Sequence, residues 1–160
     1  MPSGAYSHGV MAAFTPRQTS RTLHGKPTQV FLQTFADRIM VLVTQMGKIQ
    51  VALPPTIPLN LSARDTAPPD KLFLPEPSPA IQITSLLGSA PSEHLQTLHT
   101  LYASQIATIV WTEEAQHGLD GQRRSVVVGL SLGKQEGDAN GEREVFEGVM
   151  SMVYDLLRSS

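Results

Sequence analysis

Apolar residues along this chain gather first into strand-sized runs and only later into helical stripes. Thr28 to Phe35 is rich in β-branched and aromatic residues, which predicts a strand. Ala36-Asp37-Arg38 reads as a short turn, and Ile39 to Gln45 as a second strand. Met46-Gly47-Lys48 predicts another turn, with Gly47 free to take positive φ, and Ile49 to Leu53 a third strand. Connections this short imply an antiparallel meander, because parallel neighbours need a long crossover. Ahead of it, residues 1–24 are rich in Ser, Thr, Gly and Ala without a sustained period, and read as a flexible N-terminal tail.

Pro54-Pro55 ends the meander, and Pro58, Pro68, Pro69, Pro75, Pro77 and Pro79 follow. Proline removes backbone donors and fixes φ, so 54–80 is expected to be a Pro-rich loop. Neither side of the loop has enough elements for a core of its own, so 25–160 is expected to be one domain. Ile81 to Leu87 predicts a fourth strand, closed by Gly88. Ser89 to Ser92 then carries helix-start chemistry, with Glu93 at the positive end of the helix dipole. Leu95, Leu98, Tyr102, Ile106, Ile109 and Val110 recur at helical spacing, predicting a helix to about Ala115. Ser125 to Leu132 predicts a fifth strand, and about Glu142 to Leu157 a second helix. The stripe Val145, Val149, Val153 and Leu156 is its core face, and the second stripe Phe146, Met150, Tyr154 and Leu157 is either more core or a partner surface, with core the expectation because helix stripes usually face their own sheet. The fold class is therefore α+β, with a mostly antiparallel sheet of about five to six strands, two helices and the order β-β-β-loop-β-α-β-α.

One strand carries information about surfaces. Ile39, Val41 and Val43 point one way, and Met40, Leu42 and Thr44 the other. A strand with one face in water alternates apolar and polar, and this one does not. At about 25 cal/mol per Å², leaving even ~500 Å² of apolar sheet in water would forgo roughly 12 kcal/mol, comparable to the whole stability of a domain. Something must cover the second face, either the Pro-rich loop or another chain, and a homo- or heterodimer through the sheet is the expectation. Met40, Leu42 and Thr44, with Gln45 and Lys48 beyond them, make the candidate partner-binding set.

Composition excludes several functions. The net charge of −2 leaves no electrostatic footprint for nucleic acid, and the Arg123-Arg124 pair reads as a solvated turn. With no cysteine there is no disulfide framework, thiolate metal site or thiol nucleophile, which fits a cytosolic or nuclear protein. Met1 to Tyr6 lacks the basic and apolar regions of a signal peptide, and no apolar run approaches the ~20 residues of a membrane helix.

Candidate chemistry is equally thin. Gly129-Leu130-Ser131-Leu132-Gly133-Lys134-Gln135 falls short of a phosphate loop, lacking one residue between the glycines and the Ser or Thr after the lysine. His94 and His99 are five apart and share no helix face, while His8, His24 and His117 complete no ligand set. No serine sits in a strained Gly-x-Ser-x-Gly elbow. Glu113-Glu114 and Glu142/Glu144 lie at helix ends and read as solvated carboxylates. Neither a catalytic, a cofactor-binding nor a metal residue is expected, so the chain reads as a non-enzymatic interaction protein.

The motifs also carry a resemblance. Gly25-Lys26-Pro27-Thr28-Gln29-Val30, the apolar run Ile39 to Val43 and Thr44-Gln45-Met46-Gly47-Lys48-Ile49 resemble the proteasome assembly chaperone 3 family. That family opens with G-x-P-T-Q-V and ends an apolar strand in V-T-Q-x-G-K. The likeness continues through Leu86-Leu87-Gly88, the helix, the Val-rich strand from Val126 and the last helix, covering 25–53 and 81–157. It implies a small α+β chaperone for 20S proteasome core-particle assembly that pairs with a related, fourth-type chaperone or with itself. It further implies that the dimer escorts proteasome α-subunits, the α5 subunit foremost, during α-ring formation, without nucleotide, metal or catalytic residue. The longer N-terminus, the expanded Pro-rich loop and the Gly-rich loop at 133–141 depart from the pattern, and such insertions are typical of fungal relatives. A dimeric roadblock- or longin-like scaffold, which also combines a sheet with helices and no active site, is the competing expectation.

Overall fold

The structure is a computed structural model that describes residues 15–45, 72–118, 123–133 and 138–159. Within them lie strands β1 (Arg17–Leu23), β2 (Lys26–Thr34) and β3 (Arg38–Thr44), helix α1 (Glu93–Gln116), strand β4 (Ser125–Ser131) and helix α2 (Ala139–Arg158). The protein is α+β, with a four-stranded mixed sheet in the order β1-β2-β3-β4. β1, β2 and β3 pair antiparallel, and β4 runs parallel to β3, to which the long crossover through α1 returns the chain.

The meander exists, and among the described residues it begins one strand earlier than the sequence suggests. Arg17–Leu23, expected to be tail, is β1. Its turn is His24-Gly25, with φ of 47° and 73°, closed by the Leu23–Lys26 pair. Positive φ at both central residues of a two-residue hairpin is the geometry whose twist matches the flanking strands. Apart from Leu23 at its end, β1 is polar on both faces and so shows no apolar stripe. Its inward residues are arginines that reach α2: Arg17 Nη1 donates to the Leu156 carbonyl at 2.7 Å, and Arg21 pairs with Asp155.

The expected strand Ile49–Leu53 lies outside the described residues. The expected strand Ile81–Leu87 is irregular, with Leu86 71% and Leu87 95% exposed. Its alternation has no neighbouring strand to bond to among the described residues. The sheet therefore has four described strands where five to six were expected, in the order β-β-β-α-β-α.

Both helices pack on one face of the sheet, α2 over β1 and β2 and α1 over β4, and against each other. Val30, Leu32, Ile39, Val41 and Val43 face Tyr102, Ile106, Ile109 and Val110 of α1 and Val145, Val149, Met152 and Val153 of α2 in one core. The wide apolar arc of α2 is core because this helix touches two partners: Phe146 packs edge-on to Tyr102, with ring centroids 5.1 Å apart. Both helices are capped, α1 by the Ser92 side chain accepting from the Leu95 N–H and α2 by Asp138 accepting from Asn140.

Of the carboxylates read as solvated, Glu144 is exposed, but the pair on α1 is not. Glu113 and Glu114, at the last turn of α1, are buried. Glu113 pairs with Arg158 at 3.0 Å, and this hydrogen bond, more than the accompanying charge attraction, raises the Arg158 pKa above its ordinary value. Glu114 accepts from Arg124 Nε at 2.7 Å, while Arg124 Nη1 donates to the Phe35 carbonyl at 2.9 Å. Arg124, expected in a solvated turn, thus fastens the entry of β4 to α1 and to the β2–β3 turn.

Candidate interaction surface

Side chains alternate along a strand, so the positions between the core residues define the second face of the sheet. The register sets them in cross-strand rows. Gln18, Phe31, Leu42 and Gly129 make one row, and Gln33, Met40 and Val127 the next. Ser20, Gln29, Thr44 and Ser131 make a polar row beyond Leu42. Phe31, Met40, Leu42 and Val127 are thus an apolar centre, each half-buried by its neighbours, within a polar rim. A Cβ on Gly129 would stand 2.5 Å from Leu42 Cδ2, so the Leu42 side chain leans into the space that glycine leaves.

The described helices lie on the opposite face, and so does the described end of the Pro-rich loop. Leu72 and Leu74 pack against the core, and Gln105 Nε2 donates to the Pro75 carbonyl at 2.9 Å. Residues 54–71, the rest of that loop, lie outside the described residues.

Of the candidate partner-binding set, Met40 and Leu42 stand together on the second face. Thr44 shares their side of β3 but is 7% exposed. Gln45 is 6% exposed and turned inward: Nε2 donates to Thr28 Oγ1 at 3.0 Å, and Oε1 accepts from the Gly133 N–H at 3.2 Å. It ties the end of β3 to β2 and to the chain leaving β4. Lys48 lies outside the described residues. Phe31 and Val127 belong to the patch and were missing from the set, although strand alternation in Val30-Phe31-Leu32 and Val126-Val127-Val128 carries the signal.

A separate cleft of about 290 Å³ opens between the first turns of both helices and the ends of β3 and β4. Its walls include Leu95, Leu98, Leu132 and Val145, with Tyr102 and Glu142 as polar groups. His94 Nε2 lies 2.8 Å from Glu142 Oε1. Burial, and secondarily the Glu142 charge, push the Tyr102 hydroxyl well above the usual tyrosine pKa, so it stays protonated. No group of three His, Asp or Glu residues placed to hold a metal occurs among the described residues. No described helix is long and apolar enough to cross a membrane. No protein-family model matches the chain, and comparison with curated proteins finds no relative.

Proposed function

We propose that this chain is a non-enzymatic chaperone for assembly of the 20S proteasome core particle, acting in the cytoplasm and nucleus. In this reading it promotes α-ring formation by binding α-subunits, α5 foremost, as a dimer with a related fourth-type chaperone. The carrying observation is that the two halves of the resembling segment meet in space. Gly25 supplies the positive φ of the β1–β2 turn, and Thr28 of the first half receives the hydrogen bond of Gln45 from the second, at 3.0 Å. The motif residues thus support the sheet whose second face carries the apolar centre Phe31, Met40, Leu42 and Val127. That face is the client or partner surface, which suits a chaperone that binds and leaves without chemistry.

The test is genetic. Cells lacking the chain accumulate incomplete α-rings and less mature core particle, and the wild-type chain restores both. A normal level of core particle in such cells would overturn the reading and favour the roadblock- or longin-like scaffold.

A further inference from the structure

The cleft at the ends of β3 and β4 lies on the helix side of the sheet, away from the apolar centre of the second face. Pro91, Leu95, Leu98, Leu132 and Val145 give it apolar walls. Its 290 Å³ is about twice the ~150 Å³ of an apolar cavity that holds a benzene ring, so a body of one or two rings fits.

One polar group in the lining has no partner. Tyr102 is 1% exposed, and its hydroxyl makes no hydrogen bond among the described residues. The Glu142 carboxylate, also in the lining, acts on that hydroxyl, which sets the polar end of Tyr102 at the cleft. Burial keeps the group protonated, so it is a donor. Edge-on packing against Phe146 holds the ring in place. Buried hydroxyls are nearly always bonded, so an orphan in a cleft wall marks a place for an acceptor atom of a ligand. The other polar groups are committed. The Gln45 amide bonds Thr28 and the Gly133 N–H, His94 Nε2 lies 2.8 Å from Glu142 Oε1, and Ser92 Oγ accepts from the Leu95 N–H.

These features define the ligand. It has an apolar body and one hydrogen-bond acceptor, of which a carbonyl oxygen is the simplest. It carries no negative charge, because the Glu142 side chain, 19% exposed, would repel an anion across the cleft. Glu93 in the first turn of α1 adds to that repulsion. We propose that the cleft binds a small, neutral carbonyl compound with an apolar body of one or two rings, anchored by a hydrogen bond from the Tyr102 hydroxyl. The site does not depend on the chaperone reading, since ligand and client occupy opposite faces of the sheet.

Acetophenone, ethylbenzene and benzoate share a ring and differ in acceptor and charge, which makes them the probes. Titration of the full chain is followed by the amide shifts of Leu95, Gly133 and Val145 in proton–nitrogen correlation spectra. Acetophenone is expected to saturate those shifts and to bind roughly 2- to 10-fold tighter than ethylbenzene, the worth of one neutral hydrogen bond. Benzoate is expected to bind more weakly than acetophenone. Tyr102→Phe is expected to lower acetophenone to the level of ethylbenzene and to leave ethylbenzene unchanged, a split that a general loss of structure would not produce. Leu95→Trp, at a half-buried wall position, is expected to fill the cleft and weaken both neutral probes. Absence of saturable shifts with acetophenone would overturn the proposal. So would a preference for acetophenone that survives Tyr102→Phe, tightest binding by benzoate, or unchanged binding in Leu95→Trp.

Discussion

Gln45 holds Gly133 across the ends of two parallel strands: its Oε1 accepts the Gly133 N–H at 3.2 Å while its Nε2 donates to Thr28 at 3.0 Å. The amide therefore satisfies two groups where the chain leaves the sheet. Gln45→Ala removes both bonds, and a buried donor left without a partner costs about 1–3 kcal/mol. A urea midpoint lowered to match is expected, with any loss of partner binding following stability alone. An unchanged midpoint would contradict this structural role.

Leu23 closes the end of β1 against Gly148 of α2. A Cβ at position 148 would meet Leu23 Cδ2 at 2.5 Å, Cδ1 at 2.8 Å and Cγ at 3.2 Å. Glycine inside a helix ordinarily costs about 1 kcal/mol relative to alanine. Overpacking here costs about 1–3 kcal/mol, so the clash outweighs the gain in helix propensity. Gly148→Ala is expected to destabilise by about 1 kcal/mol, and the added Leu23→Ala change is expected to relieve the clash. Denaturation of the two single variants and the double variant measures that coupling; additive effects would show that the two sites do not touch.

Tyr102 gives the fold an alkaline limit. Its folded pKa lies above the value near 10 of an unfolded tyrosine. The contribution is fully present below pH 10 and is lost as pH rises from there toward the folded pKa. Tyrosinate absorbance from Tyr102 is expected only together with global unfolding. Its hydroxyl has no hydrogen-bond partner among the described residues, so Tyr102→Phe is expected to leave stability at pH 7 unchanged or slightly raised. The same variant is expected to flatten the fall in stability above pH 10. A steep loss at pH 7 would reveal a bond that this account lacks.

Elements that bury an apolar stripe were legible in the sequence. β2, β3, β4 and both helices declare themselves by period, and the wide arc of α2 by Phe146 and Tyr154. β1 was hidden because Arg17 and Arg21 face α2 with hydrogen bonds and charge where hydrophobic area would announce a strand. The Ile81–Leu87 run reads as a strand in the sequence but is irregular in the structure, with no neighbouring strand to bond among the described residues. Glu113, Glu114 and Arg124 are ordinary in composition, and only the tertiary fold brings each carboxylate to its arginine. For the surface, alternation along β3 pointed to Met40 and Leu42. Gln45 looked equally available because single-chain patterns do not say which amide turns inward.

Phe31 and Met40 lie at the centre of the second face, the surface on which the proposed function places the client. The double variant Phe31→Thr/Met40→Thr keeps β propensity and leaves the core face intact, at a stability cost of about 1–2 kcal/mol. Losing two apolar contacts from an interface is expected to weaken client binding at least ~10-fold, since each buried side chain contributes about 1.5–3 kcal/mol. Titration calorimetry against the isolated partner measures it, and an unaltered affinity would place the client elsewhere on the molecule.

The most direct test of the proposed function is the mass of the species in which this chain elutes. Co-expressed with a fourth-type assembly chaperone and the proteasome α5 subunit, the wild-type chain is expected to elute from size exclusion in one complex containing all three. Light scattering gives its mass, and the Phe31→Thr/Met40→Thr chain is expected to drop out of it. A wild-type chain that elutes apart from both, folded and at its own mass, would contradict the account.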